Sequence, residues 1–279
     1  MKILLAGCGD IGQRTGARLA PNHQCFGLKR NPRNLPNTIT PIAGDVTDTQ
    51  GLQTILSEGF DVVVVTLTPA AFTQAAYHDA YLAGAKALSD AISNIANRPK
   101  LVIWISSTSV YGHNDGEWVN EQSVTRPASF SGKLLLEAEQ QIQTLPCAHI
   151  VVRFSGIYGP GRTRMLNQIM EGKGRPPLPE QWSNRIHSAD CAGVISHLIE
   201  RFGAGEIVDP LYLATDCTPV TQHVMRNWLA AKMNVELSDE GVVQKSVRRC
   251  SNQRLLGTGY RFIFPSYQEG YLSLIAEQS

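Results

Sequence analysis

Short, continuous apolar runs alternate with stretches of helical periodicity along most of this chain. Ile3-Leu4-Leu5-Ala6, Val62-Val63-Val64-Val65 and Leu101-Val102-Ile103-Trp104-Ile105 are apolar at every position, not at every second one. Strands of that kind are buried on both faces, as in a parallel sheet covered by helices. The pattern predicts strands at 2–6, 24–28, 41–45, 61–66, 101–106 and 149–153. It predicts helices at 13–20, 49–57, 71–97 and 130–143 between them. Alternation of strand and helix predicts an α/β fold built on a doubly wound parallel sheet, with ligands at the carboxyl ends of the strands. The loops after Ala6, Leu28, Thr66, Ser106 and Arg153 should therefore line one crevice. Further along, a strand at 211–214 precedes a helix whose start is read at Thr218-Pro219.

The first strand runs directly into Gly7-Cys8-Gly9-Asp10-Ile11-Gly12, a G-x-G-x-x-G between a buried strand and a helical pattern. The first glycine permits a tight turn. The second lets the backbone approach a pyrophosphate, and the third lets the helix pack close to the strand. The free N–H groups of the helix start then face the phosphates. This predicts a Rossmann dinucleotide site formed by Gly7, Gly9, Asp10, Ile11 and Gly12. An acid at the end of the second strand would select NAD. The chain has Lys29-Arg30-Asn31-Pro32-Arg33 there. Arg30 is the first choice for binding a 2′-phosphate and Arg14 the second, so NADP is the expected cofactor with NAD as the alternative. Asp45 could accept from the adenine amino group or could cap the helix after it. Residues 1–155 are thus assigned to an NAD(P)-binding domain. Residues 156–279 are a mixed segment that completes the sheet and forms a small substrate lobe.

Composition narrows the function classes. A formal net charge of +1 over 279 residues carries no nucleic-acid footprint. No apolar run approaches the roughly 20 residues of a membrane span, and a soluble, cytoplasmic protein is expected. Leu5-Ala6-Gly7-Cys8 looks like a lipoprotein cleavage box, but seven residues before Cys8 leave no room for an apolar signal stretch. The six cysteines are scattered without a C-x-x-C. The pairs His187/Cys191 and Cys147/His149 have no second pair to complete a metal site, so reduced thiols and no metal are expected.

Ser106-Ser107-Thr108-Ser109-Val110-Tyr111-Gly112, Arg153 through Tyr158-Gly159-Pro160-Gly161-Arg162, and Ile186-His187-Ser188-Ala189-Asp190 resemble three segments of the extended short-chain dehydrogenase/reductases. The resemblance is to the NAD-dependent epimerase/dehydratase group and covers nearly the whole chain. It implies that Ser107 is the hydroxyl that polarises a substrate carbonyl. It implies that Lys133 binds the nicotinamide ribose and lowers the pKa of a nearby phenol. That phenol belongs four residues before the lysine, where this chain has Ser129. A serine hydroxyl is too weakly acidic to replace it without a separate base. Ser129, Gly132-Lys133 and the tail from Ser251-Asn252-Gln253-Arg254-Leu255-Leu256 to Pro265-Ser266-Tyr267 are similar to the atypical YeeZ-type subgroup, which lacks the usual tyrosine.

Tyr111 is the first candidate to replace that tyrosine, with packing beside the substrate pocket as its alternative role. Tyr158, His113 and His187 are weaker candidates, and Tyr77 and Tyr81 read as one packed helix face. Arg162 and Arg164 could hold an anionic group such as a phosphate or carboxylate, or could face solvent. The loop 171–179 could cover a ligand. Two functions remain. One is an NAD(P)-dependent reductase, epimerase or dehydratase acting on a small carbonyl or sugar-like substrate. The other is a dinucleotide-binding protein without turnover, serving as a redox-state reader or scaffold. By family resemblance the helices at 71–97 and 130–143 would form a homodimer interface.

Overall fold

The computed structural model describes residues 1–239 and 248–277. The chain begins β1 (Lys2–Ala6), α1 (Asp10–Leu19), β2 (Gln24–Lys29), β3 (Thr40–Ala43), α2 (Thr49–Leu56), β4 (Val62–Val65). It continues with α3 (Gln74–Tyr77), a π-helical stretch (His78–Ala83), α4 (Gly84–Ser93), β5 (Leu101–Ser107), β6 (Trp118–Val119) and α5 (Phe130–Gln143). Next come β7 (Ala148–Phe154), β8 (Gly156–Tyr158), α6 (Arg164–Met170), β9 (Trp182–Ser183), β10 (Arg185–His187) and α7 (Ser188–Gly203). The last elements are β11 (Leu211–Ala214), β12 (Val220–Thr221), α8 (Gln222–Met233), β13 (Arg249–Cys250), α9 (Gln253–Gly257) and α10 (Tyr267–Ala276).

The central sheet has seven strands in the order β11-β7-β5-β4-β1-β2-β3. Pairing is parallel from β3 through β2, β1 and β4 to β5, with Leu4 opposite Phe26 on one side and Val63 on the other. Strand order reverses at β1, where one half winds toward β2 and the other toward β4. That reversal is the switch point at which a doubly wound sheet opens a crevice. The apolar runs are buried on both faces. Leu4, Val63, Val65, Val102 and Trp104 pack with α2, α4 and α5 residues such as Leu52, Leu88 and Ala138. Their neighbours Ile3, Leu5, Val62 and Val64 are equally buried. The fold is therefore the expected Rossmann-type α/β fold, and β11 from the C-terminal part adds its edge strand.

The described residues divide into two compact units, and the chain crosses between them more than once. Unit 1 comprises Met1–Val110, Thr125–Arg153 and Ala192–Tyr212. Unit 2 comprises Tyr111–Val124, Phe154–Cys191 and Leu213–Ser279. Unit 2 has its own core, where Tyr158, Leu166, Ile169, Met225, Leu229 and Tyr271 pack together.

Several predicted boundaries move for local reasons. The single helix expected at 71–97 is interrupted. Thr73 caps α3 by accepting the Ala76 amide at 3.3 Å, the π-helical turn follows, and α4 ends at Ser93. The helix does not start at Thr218-Pro219: the short strand β12 (Val220–Thr221) intervenes, and Thr221 caps α8 by accepting the Val224 amide at 3.3 Å. No helix among the described residues is long and apolar enough to cross a membrane.

Candidate functional site

In unit 1, the turn after β1 is built from backbone. The Gly7 and Cys8 amides both donate to the Leu28 carbonyl, at 2.9 and 3.1 Å, which ties the turn to the end of β2. Gly7 has φ +77°, and a Cβ there would press on Leu67 Cδ2 at 2.9 Å and on the Thr66 carbonyl. Gly12 packs against Thr66, whose Oγ1 would lie 3.0 Å from an added Cβ. These two glycines are required by the protein itself. Gly9 differs: the nearest atom to an added Cβ is the Gly7 carbonyl oxygen at 3.7 Å. The protein leaves room there, yet the position is bare. Gly9 is also the N-cap of α1 and provides no side-chain cap. An unfilled space before uncapped helical amides fits an anionic group approaching the backbone.

Gly7 and Gly9 line a cavity of about 720 Å³. Lys29, Arg30, Asn31, Asp45 and Thr66 also line it, and so do Asp79, Ala80 and Ala83 of the π-helical stretch. Wall residues from that stretch were not singled out by the sequence, because an apolar, tyrosine-bearing pattern reads as continuous helix. Asp10 and Ile11 are absent from the wall. Asp10 pairs with Arg14 at 2.7 Å across one helical turn, and Ile11 is 8% exposed. Arg14, the second phosphate-binding choice, is the partner in that partly exposed pair. Asp45 accepts from the Thr47 amide at 3.0 Å and the Thr47 hydroxyl at 2.8 Å. The Thr47 amide leads in holding its carboxyl below the usual range, and Arg30 adds to the effect. Asp45 does not cap the following helix. Asp48 does, accepting from Gln50 and Gly51.

The other candidate residues of unit 1 meet where α5 starts. Gly132 brings the first turn of α5 against the Ser109 carbonyl, two residues after Ser107, and no side chain fits between them. Ser107 is half-buried, and its Oγ accepts the Ser109 amide at 3.2 Å. Lys133 is exposed, with its amide bonded to the Ser129 carbonyl at 3.1 Å. Ser129 is the N-cap of α5: its Oγ accepts the Gly132 amide at 3.1 Å and lies 3.0 Å from the Ser131 Oγ. Beneath this segment lies a network that the sequence did not announce. Arg153 on β7 grips Glu139 on α5 through Nε at 3.0 Å and Nη2 at 2.6 Å. Ser106 on β5 donates to the same carboxylate at 2.5 Å. All three are buried, so the elements carrying Ser107 and Lys133 are tied to a single carboxylate. Arg153 was visible as a motif residue, but its partner lay in an ordinary-looking helix.

Tyr111, Tyr158 and His187, three of the proposed substitutes, are buried. Tyr111 is 1% exposed and donates its hydroxyl to the Asn120 carbonyl at 2.8 Å. That geometry is what the alternative role, packing, requires, with the proton shared inside unit 2. Tyr158 is 2% exposed, and burial pushes its phenol far above the ordinary range. His187 is buried between the Tyr158 and Phe264 rings and accepts the Ala189 amide on Nδ1 at 3.2 Å. His113 is half-buried in unit 2, its ring 6.3 Å from that of Tyr111. Tyr77 and Tyr81 join Phe72 and Phe130 in an aromatic cluster, and burial pushes Tyr81 up to about 12. The thiols of Cys8 and Cys25 are pushed by burial to about 11.

Comparison with known proteins places this geometry. The family model of the RmlD substrate binding domain matches residues 1–201. Protein YeeZ of Escherichia coli strain K12 is 32% identical over 163 residues, covering 58% of this chain and 56% of that protein. The matched stretch thus spans little more than half of that relative. A Methylobacillus flagellatus protein assigned to the NAD-dependent epimerase/dehydratases is 33% identical, with 99% of this chain and 98% of that one covered at a TM-score of 0.82. The UDP-glucuronic acid 4-epimerase of Bacillus cereus, solved with NAD, shares the fold at 19% identity, covering 97% and 96% of the chains at a TM-score of 0.79. With its matched region spanning the whole sheet except the last strand, the chain belongs to the RmlD substrate binding domain family, on the fold of the NAD-dependent epimerases and dehydratases.

Proposed function

We propose that this protein binds a nicotinamide dinucleotide across the turn at Gly7–Gly9, with NADP favoured over NAD, and works on a small carbonyl or sugar-like substrate. The observation that carries this is Gly9, a bare position beside a cavity that the protein itself does not fill. The α1 amides would face the pyrophosphate, and Arg30 with Lys29 would face a 2′-phosphate. The nicotinamide supplies hydride transfer when it is bound. Ser107 would donate its hydroxyl to the substrate oxygen, and Lys133 would hold the nicotinamide ribose.

A second reading, dinucleotide binding without turnover, is favoured by Ser129. Its hydroxyl is spent on the Gly132 amide, and Tyr111 and Tyr158 are buried away from such work. Titration of cofactor fluorescence tests the binding claim. Gly9→Val should abolish NADPH binding, and unchanged affinity would overturn the site. Arg30→Gln should remove the preference for NADPH over NADH. A turnover assay on ketones and sugar derivatives then separates the two readings: activity that requires Ser107 supports catalysis, and binding without turnover supports the second.

A further inference from the structure

Unit 2 holds a cavity of about 410 Å³ whose wall includes Arg162, Arg164, Arg175, Arg185 and Arg226. Two of these guanidinium groups are held in opposite ways. Arg226, on α8, is anchored by three oxygens: the Lys173 carbonyl at 2.8 Å, Gln168 Oε1 at 2.6 Å and Gln222 Oε1 at 3.3 Å. Arg185, on β10, is half-buried, and its Nε donates to the Met225 sulfur at 3.1 Å. It makes no ion pair among the described residues. A thioether is a weak acceptor, so little fixes this guanidinium where it lies.

Its neighbour is Asp216. The Asp216 amide donates to the Arg185 carbonyl at 2.6 Å, and the Thr215 hydroxyl donates to the same oxygen at 3.1 Å. The two side chains therefore leave from adjacent backbone. Asp216 is 2% exposed; its Oδ1 accepts the Thr218 amide at 3.2 Å, and its Oδ2 has no hydrogen-bond partner. Burial pushes this carboxyl up to about 8, against the Thr218 amide and Arg185, and Asp190 and Glu269 add to the rise. Both of those acids are engaged. Asp190 accepts the Ile263 and Phe264 amides at 2.7 and 2.9 Å and the Tyr260 hydroxyl at 2.8 Å. Glu269 closes the capping box of α10 with Ser266. The Tyr158, Tyr267 and Tyr271 phenols and the Cys217 thiol are coupled to Asp216 as well, and burial moves all four upward, so they stay neutral at pH 8. His187 packs between the Tyr158 and Phe264 rings. Arg185 is the cation whose field reaches the Asp216 carboxyl.

At neutral pH Asp216 keeps its proton, and a neutral carboxyl gives Arg185 no reason to leave the sulfur. Once ionised, a buried carboxylate with an unpartnered oxygen is costly unless a cation reaches it. A guanidinium–carboxylate bond is also stronger than one to a neutral acceptor. We propose that Asp216 and Arg185 form a proton-operated switch: when Asp216 loses its proton, the Arg185 guanidinium leaves Met225 and the cavity wall and pairs with Asp216 Oδ2. The proton goes to solvent, and the cavity gives up one of its cations. The charge of its wall then follows pH. The switch lies within unit 2 and does not rest on the dinucleotide assignment.

The test is carbon-13 NMR of the full chain between pH 6 and 10, with label in the aspartate carboxyls and the methionine methyls. Asp216→Asn and Met225→Leu assign the two signals. The Asp216 carboxyl should titrate near pH 8, and the Met225 methyl should move with the same midpoint. Asp216→Asn, which cannot ionise, should leave the Met225 methyl unmoved over the whole range. Arg185→Gln should do the same and should raise the Asp216 midpoint by about one pH unit or more, because the attracting charge is gone. This reciprocal shift separates a switch from a carboxyl that is merely buried. A Met225 methyl that stays still while Asp216 titrates overturns the proposal, and so does an Asp216 midpoint that Arg185→Gln does not move. Titration of Asp216 near pH 4 overturns it too. Release of α10 would overturn it as well, read as loss of the ring contact between Tyr267 and Trp228 at 5.4 Å, since ionisation would then be relieved by opening.

Discussion

The Ser129 hydroxyl accepts the Gly132 amide at the start of α5, and this single bond decides what a substitution there can do. Ser129→Ala removes the cap and should cost about 1 kcal/mol of stability, measured by urea unfolding. Ser129→Tyr removes the same cap and places a phenol one helical turn before Lys133. Its stability should fall by a similar amount while any turnover rises, by up to roughly 10²–10⁴-fold if a missing acid–base group limits the parent. A Ser129→Tyr enzyme that is folded and no more active than the parent would remove that explanation. Tyr111→Phe should leave turnover unchanged and cost about 1 kcal/mol, because what is lost is a hydrogen bond to Asn120. Asp216 gives a pH dependence of defined sign. Its folded pKa, raised to about 8 by burial, lies above the unfolded value near 3.9. The folded state therefore binds the extra proton across that interval, and this contribution to stability is lost as pH rises from about 4 to about 8. Asp216→Asn should flatten that slope and be more stable than the parent at pH 8.

At the scale of elements, the Ser106–Glu139–Arg153 network joins β5, α5 and β7. Glu139→Gln leaves a buried guanidinium without its counter-charge and should cost about 3–5 kcal/mol in an unfolding experiment. Because the same elements carry Ser107 and Lys133, milder damage should show first as a loss of activity. The sheet strands, α2 and α5 were legible from periodicity alone, and α5 begins and ends where the pattern says. The π-helical stretch was not legible. One extra residue in a turn leaves the apolar periodicity almost intact, and its effect on the cavity wall is purely geometric. The network was hidden for a related reason: no spacing rule links residues 106, 139 and 153.

For the whole molecule, the testable property is assembly. Phe72, just before α3, is 72% exposed and packs at 5.1 Å from Phe130 and 5.5 Å from Tyr77, which lie on the helices expected to pair in a dimer. Sedimentation at micromolar concentration should give a dimer, and Phe72→Glu should shift it to monomer. A monomeric parent would reject this interface. The second cavity also shows how partial the sequence is at this scale. Arg162 and Arg164 could be picked out beside a glycine-rich segment, whereas Arg175, Arg185 and Arg226 come from a loop, a strand and a helix far apart in the chain.

The sequence by itself determined the sheet and the glycine turn, because strand burial, helix periodicity and positive φ at Gly7 are local properties written into neighbouring residues. It also determined the basic end of β2. Tertiary structure alone decided which side chains are free to act. Burial commits Tyr111 to a backbone carbonyl, capping commits Ser129 to an amide, and long-range packing gathers five guanidinium groups around one cavity. Hydrogen-bond partners and desolvation depend on atoms brought together only by the fold, so residue type and spacing cannot report them.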